Sequence, residues 1–119
     1  MVQVLIADDD GITRSVLRTI LEDAGHEVTG EASNGEEVIS LCANQSAELV
    51  FLDINMPGMD GFAALEALRA AHPALAIVMV SASSTLDNVR RAARFGVNGF
   101  VVKPFTPDKV LSCMKSIRR

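Results

Sequence analysis

The sequence predicts a three-layer α/β fold in which helices cover both faces of a five-stranded parallel sheet. Short runs of aliphatic and β-branched residues recur along the chain, and stretches with a helical spacing of apolar residues separate them. Most of these runs are continuously apolar, so the strands are expected to be buried on both faces, as in a parallel sheet. A chain of 119 residues has room for one such domain, and we expect a single domain over residues 1–119.

The predicted strands are short and lie between helix signals. Four of them are almost wholly apolar, whereas the second carries more polar residues and is expected nearer an edge of the sheet. In chain order they are Val2–Ala7, Glu27–Ala32, Glu48–Asp53, Ala76–Ser81 and Gly99–Lys103.

Capping and stop residues mark the predicted helices. Asn34 followed three residues later by Glu37 has the spacing of a capping box. Gly25 and Gly96 follow apolar helical stretches and are expected to end them. The predicted helices are Ile12–Ala24, a segment through Val38, Leu41 and Cys42, Phe62–Ala71, Leu86–Phe95, and a last helix from Pro107 through Ile117.

Composition excludes several classes of protein. With 49% apolar and 22% charged residues, the chain is neither disordered nor a fibrous repeat. Apolar runs stay well short of 18 residues and the N-terminus lacks signal-peptide features, so we expect no membrane insertion. Cys42 and Cys113 fall in predicted helices and are expected to be small, buried or half-buried thiols in a reducing cytoplasm.

Charge divides the chain into two unequal halves. Residues 1–60 hold 12 Asp and Glu against 2 Arg, whereas residues 61–119 hold 3 acids against 9 Lys and Arg. An acidic first half argues against a nucleic-acid surface and suggests a bound cation. An ordinary solvated surface is the default explanation of the basic charges in the second half, and a face for an acidic protein partner is the alternative. The residues of this basic set are Arg90, Arg91, Arg94, Lys109 and Lys115.

Chemically active side chains stand at the carboxyl ends of the predicted strands. Ligands of open parallel sheets bind in the crevice at that edge, so these side chains are expected to share a site. They are Asp8, Asp9 and Asp10 after the first strand, Asp53 at the end of the third, Ser81 at the end of the fourth and Lys103 at the end of the fifth.

A cluster of this kind favours a divalent cation. Like charges about 4 Å apart repel by about 4 kcal/mol at an effective dielectric constant of 20, and one lysine cannot compensate three carboxylates. Oxygen ligands suit Mg²⁺, with Mn²⁺ as an alternative. The cation would also neutralise an incoming phosphoryl group, whose oxygens Lys103 and Ser81 would contact. Asp53 is the expected nucleophile, forming an acyl phosphate.

Four segments together resemble the receiver domain of two-component response regulators: VLIADDD, LVFLDINMPGMDG, IVMVSAS and GFVVKPFTP. They occur in the order and at the spacing of that family, and the resemblance runs from Val2 to Ile117. It implies the flavodoxin-like strand order 2-1-3-4-5, which places the first, third, fourth and fifth strands side by side.

The resemblance also implies roles for single residues. Asp53 would accept a phosphoryl group from the phosphohistidine of a sensor kinase or phosphotransfer protein. Asp8 and Asp9 would bind Mg²⁺ together with Asp53 and the backbone carbonyl of Asn55. Lys103 would pair with the phosphoryl group, and the bond between Lys103 and Pro104 would be cis.

A further implication is a conformational switch. Ser81 would move toward the phosphoryl group, and Phe100 would turn inward into the space released. The family often has Thr and Tyr at these two positions; Ser keeps the hydroxyl, whereas Phe has none to offer a partner. Asn55 and Ser83 would flank the path of the water that removes the phosphoryl group.

The functional hypothesis is therefore a stand-alone receiver without an output domain, which switches binding to a downstream effector protein. It would be a cytoplasmic phosphoprotein, monomeric or dimerising on phosphorylation, that does not bind nucleic acid directly. We expect no enzymatic activity beyond self-phosphorylation and slow self-dephosphorylation. The alternatives are a phosphorelay shuttle, a phosphorylation-independent adaptor and, less favoured, an aspartyl phosphatase, whose second acid is replaced here by Asn55.

Overall fold

A computed structural model describes residues 1–82 and 85–115. Strands and helices alternate strictly through this part of the chain, five of each. The strands are β1 (Gln3–Ala7), β2 (Glu27–Ala32), β3 (Leu49–Asp53), β4 (Ala76–Ser81) and β5 (Gly99–Val102). The helices are α1 (Gly11–Asp23), α2 (Gly35–Asn44), α3 (Gly61–Ala71), α4 (Leu86–Arg94) and α5 (Pro107–Lys115).

The strands form one parallel sheet in the order β2-β1-β3-β4-β5. Both the fold class and the strand order are thereby confirmed. The predicted end of the last helix at Ile117 lies outside the described residues. The other predicted boundaries differ from the observed ones by one residue at most, and one difference bears on the site. Strand β5 ends at Val102, so Lys103 is the first residue beyond the strand.

Two hydrophobic clusters lie on opposite faces of the sheet, because alternate residues of each strand point in opposite directions. One cluster packs the sheet against α2, α3 and α4, and the other packs it against α1 and α5. The first includes Leu5, Leu52, Val38, Leu65 and Ala92. The second includes Ile6, Phe51, Leu17, Leu21 and Val110.

Side chains cap the helices largely as the sequence predicts. The Asn34 side chain accepts a hydrogen bond from the backbone N–H of Glu37 at 2.8 Å. The return bond of the box is displaced by one residue, since the Glu37 carboxylate accepts from the backbone N–H of Ser33 at 2.7 Å. Asp10 and Asp60 cap α1 and α3 in the same manner.

The burial of the two cysteines agrees with the expectation from composition. Cys42 is buried, Cys113 is half-buried, and the two form no disulfide with each other. Within the described ranges, every helix is too short or too polar to cross a lipid bilayer.

The β3–α3 loop returns to the end of β3 through a close backbone contact at Gly61. The Gly61 N–H donates to the carbonyl of Ile54 at 2.7 Å. A Cβ at this position would lie 2.2 Å from the Asp53 carbonyl oxygen and 2.5 Å from the Ile54 Cα. Glycine is therefore required here, because the obstructing atoms belong to the backbone and cannot rotate away.

Gly61→Ala should destabilise the protein by at least about 2 kcal/mol, because it forces the start of α3 away from the end of β3. Urea unfolding measures this free energy. Gly11→Ala is the matched control: it lies at the start of α1, where a Cβ would come no closer than 3.4 Å to the Arg14 side chain. An Ala at Gly61 that is tolerated as well as one at Gly11 would contradict the expected clash.

Candidate functional site

Backbone ladder bonds bring the predicted site residues to one edge of the sheet. Asp53 ends the central strand β3, while Asp8 follows β1 directly. The Asp8 N–H donates to the Ala32 carbonyl at 3.0 Å, so the pairing of β1 with β2 extends to this residue. The Lys103 N–H donates to the Ser81 carbonyl at 2.7 Å, which continues the pairing of β5 with β4. The site residues therefore start from the most rigid part of the fold.

Three carboxylates converge at this edge. Asp8, Asp9 and Asp53 each offer an oxygen, and these oxygens lie within 4.8 Å of one another. Asp8 and Asp53 are 1% and 3% exposed, whereas Asp9 is exposed to solvent. The cluster thus has a buried floor formed by two carboxylates and one side open to water.

Lys103 supplies the positive charge that faces the cluster. Its Nζ lies 2.9 Å from Asp8 Oδ2 and 3.6 Å from Asp53 Oδ2. The contact with Asp8 is an ion pair. Among the described residues, this buried oxygen has no hydrogen-bond partner besides that ammonium.

The electrostatics of Asp53 reflect this imbalance. Burial raises its pKa to about 6, and the nearby Asp8 carboxylate acts in the same direction. Lys103 and the Asn55 backbone N–H, which is 3.3 Å from Asp53 Oδ1, oppose the shift only in part. For Lys103, burial lowers the pKa, but Asp8 and Asp53 outweigh it and the net shift is upward. The lysine is therefore charged at neutral pH.

The carboxylates are otherwise held by local hydrogen bonds. The Asp10 N–H donates to Asp8 Oδ1 at 2.9 Å. The Asp8 carbonyl in turn accepts from Arg14 Nη1 at 2.6 Å. Asp10 itself caps α1 through the Ile12 N–H, so it turns away from the cluster as a helix cap.

The two residues expected to form the switch lie on neighbouring strands. Ser81 is fully buried at the end of β4. Phe100 pairs with Met79 across the sheet, and its half-buried ring packs against the cluster beneath α2, α3 and α4. The positions are compatible with a coupled change at the two side chains, and the switch itself stays a prediction.

Of the three remaining site predictions, two concern described residues. Asn55 is exposed beside Asp53, and the Lys103–Pro104 peptide bond is cis. The predicted role of Ser83 concerns a residue that lies outside the described residues.

The basic set is not one uniform surface. Its five members are all exposed. However, the guanidinium of Arg91 lies 4.3 Å from the centroid of the Phe62 ring, a cation–π contact between α4 and α3. On α5, Lys109 and Lys115 are six residues apart and so point in different directions. A partner face built from these residues stays a prediction.

Sequence reasoning missed two residues that shape the site. Gly61 permits the close contact behind Asp53, and Arg14 holds the backbone of Asp8. Gly61 carried no signal beyond its place in the resemblance, because its restriction comes from atoms of Asp53 and Ile54. Arg14 carried one weak signal: it lies one turn into α1, beside a loop rich in acids.

The fold and this acidic edge define the class of the protein. The sequence profile of the response regulator receiver domain family matches residues 4–115. The chain therefore belongs to that family.

Individual relatives share nearly the whole length. The chain is similar to the chemotaxis protein CheY of Thermotoga maritima, with 34% identity over 117 residues that cover 98% of each chain. It is 36% identical to CheY of Listeria monocytogenes over 115 residues, 97% of each chain. Among solved structures, a chain of the CheX–CheY–BeF3–Mg complex from Borrelia burgdorferi superposes with a TM-score of 0.94 and 31% identity, covering 98% of this chain and 88% of that one.

Asp53→Asn should stabilise the protein at pH 8 without divalent cations, by on the order of 1–3 kcal/mol. Because the folded-state pKa of Asp53 lies above its ordinary value of 3.8, the folded state holds a proton more tightly than the unfolded chain. The wild type should thus lose stability as the pH rises from about 4 through about 6. The variant should lack this loss, and the two should converge at acid pH.

Urea unfolding across this pH range, with a chelator present, measures the effect. Asp60→Asn is the control: Asp60 is an exposed helix cap in the following loop, and Asn caps equally well. If Asp53→Asn and Asp60→Asn follow the same pH profile, burial of the Asp53 charge is not the cause.

Proposed function

We propose that this chain is a phosphoacceptor receiver that signals by protein–protein binding, with Asp53 as the phosphorylated residue. The observation that carries the proposal is the juxtaposition of Asp53 with two further carboxylates and the Lys103 ammonium. Membership of the receiver family and the similarity to CheY proteins support it.

A divalent cation fits the residues that are present. Oxygens of Asp8, Asp9 and Asp53 lie within 4.8 Å of one another, and among the described residues the buried Asp8 Oδ2 has the Lys103 ammonium as its one partner. Hard oxygen ligands of this kind suit Mg²⁺, or Mn²⁺ in its place. The three carboxylates, with the Asn55 carbonyl as a fourth donor, would hold it. A bound cation would supply charge neutralisation for an incoming phosphoryl group.

The proposed reaction is a transfer between two nucleophiles. A carboxylate oxygen of Asp53 attacks the phosphorus of a phosphohistidine in a sensor kinase or phosphotransfer protein. The P–N bond breaks, the imidazole leaves with the bonding electron pair, and an acyl phosphate forms on Asp53. The Lys103 ammonium, 3.6 Å from Asp53 Oδ2, would pair with the phosphoryl oxygens.

The phosphorylated state would then bias the switch. Pairing of Lys103 with the phosphoryl group would weaken its ion pair with Asp8, and the Ser81 hydroxyl would turn toward the new oxygens. Phe100 would follow into the space released, changing the surface offered to an effector protein. We place the protein in the cytoplasm, with a sensor kinase upstream and no catalytic turnover of its own beyond phosphorylation and slow hydrolysis.

Incubation with Mg²⁺ and a small acyl phosphate donor should add one phosphoryl group to the wild type and none to Asp53→Asn. Intact-mass spectrometry measures the addition. Asp60→Asn, which keeps the helix cap, should be phosphorylated like the wild type. A wild type that stays unmodified would favour a phosphorylation-independent adaptor, and sustained hydrolysis of phosphate esters would favour an aspartyl phosphatase.

Lys103→Ala should keep the fold but weaken the link between the acyl phosphate and the distant surface. The side chain is 23% exposed and lies at the rim of the site, so its removal leaves the hydrophobic clusters intact. Beryllofluoride with Mg²⁺ mimics the phosphoryl group, and amide NMR shifts of Ser81 and Phe100 report the switch. Wild-type shift changes in the mimic-saturated variant would show that the lysine is not the link.

A further inference from the structure

We propose that Arg14 is a positioning residue for the cation site, fixing the peptide that joins Asp8 to Asp9. This inference rests on the proposed function, because it assigns Arg14 a part in holding the ligands of the cation. The side chain is largely covered, at 22% exposure, although it belongs to a surface helix.

The contact that carries the proposal is a hydrogen bond to the backbone. Arg14 Nη1 donates to the Asp8 carbonyl oxygen at 2.6 Å. That oxygen belongs to the peptide plane that leads into Asp9, so its direction determines where the Asp9 carboxylate starts. Asp9 is exposed, and the β1–β2 pairing ends with the Asp8 N–H, so Asp9 follows directly after the last residue that the sheet holds.

The guanidinium is itself held from the other side. Arg14 Nε lies 3.0 Å from Glu31 Oε1, and Glu31 is part of β2. The other oxygen of Glu31 accepts from Arg18 Nε at 2.7 Å. The planar fork of Arg14 thus links the Asp8–Asp9 loop to β2, which a lysine with a single ammonium would do less well.

Arg18 provides a control with the same charge and the same partner. It lies one turn further along α1, and within the described ranges its side-chain partners are Glu31 and Glu22, neither of which belongs to the site loop. Arg14→Gln and Arg18→Gln therefore each remove one positive charge from the same helix, and each breaks an ion pair with Glu31. Only the first removes the hydrogen bond to the Asp8 carbonyl.

Magnesium affinity, measured by isothermal titration calorimetry, separates positioning from charge. Removing a nearby positive charge should by itself strengthen cation binding. Loss of a group that orients metal ligands instead weakens binding, typically by 10–100-fold. We expect Arg14→Gln to weaken Mg²⁺ binding at least tenfold and Arg18→Gln to change it less than about twofold. Equal affinities in the two variants, or tighter binding by Arg14→Gln, would overturn the proposal.

A second measurement needs no metal. The Asp10 N–H donates to Asp8 Oδ1, so its hydrogen exchange reports the order of the loop in the cation-free protein. Exchange should be faster in Arg14→Gln than in Arg18→Gln, and Arg14→Lys should lie between Arg14→Gln and the wild type. Identical exchange in the two glutamine variants would refute the inference. A wild type that fails to bind Mg²⁺ would refute the proposed function instead, and the exchange comparison would still decide the role of Arg14.

Discussion

The candidate site is defined by the burial of two aspartates beside a third, with one lysine facing them. Asp8 and Asp53 are almost fully covered, and water cannot screen their mutual repulsion as it would at a surface. Lys103 contacts both, yet its single charge leaves the cluster acidic. The site is thus electrostatically incomplete in the protein alone, which favours a bound cation. The fold must hold the three aspartates together against their mutual repulsion.

The parallel sheet holds these carboxylates close together despite their mutual repulsion. Ladder hydrogen bonds extend from β1 to Asp8 and from β5 to Lys103, so the backbone beneath each charge belongs to the sheet. Behind Asp53, the contact between Gly61 and Ile54 joins the start of α3 to the end of β3. Repulsion can then be relieved by protonation or by a bound cation more easily than by movement of the backbone. Burial, followed by the charge of Asp8, accordingly raises the pKa of Asp53.

The sequence allowed the sheet and the meeting of the carboxylates at its carboxyl end to be predicted for a physical reason. Continuous apolar runs require burial on both faces, and a polar residue that ends such a run must lie at the edge of the sheet. This reasoning located Asp53 and Lys103 without any knowledge of packing. It could not locate Arg14 or Gly61, because their roles depend on contacts with residues distant in sequence or on backbone geometry. The strand order also came from the resemblance, since short apolar runs do not specify their neighbours.

The division of charge between the two halves of the sequence does not correspond to the distribution of charge in the structure. The acidic first half suggests one acidic surface, yet Arg14 and Arg18 compensate Glu22 and Glu31 within it. Lys103, from the basic half, lies in the acidic cluster. Among the other cations of that half, Arg91 stacks on a phenylalanine ring and Arg69 donates to backbone carbonyls where α3 and α4 end.

The ion pairs of α1 affect the charge balance of the site. Because the arginines of α1 already hold the glutamates around them, they are not available to neutralise the aspartates at the sheet edge. Arg14 approaches that edge through the Asp8 carbonyl, not through its carboxylate. Uncompensated negative charge is therefore concentrated where three carboxylate oxygens lie within 4.8 Å, a spacing that one small ion can bridge. The neighbouring acids Glu22 and Glu31 are already paired with arginines, so they attract a cation less strongly than the three aspartates do. A cation is therefore favoured at the aspartate cluster.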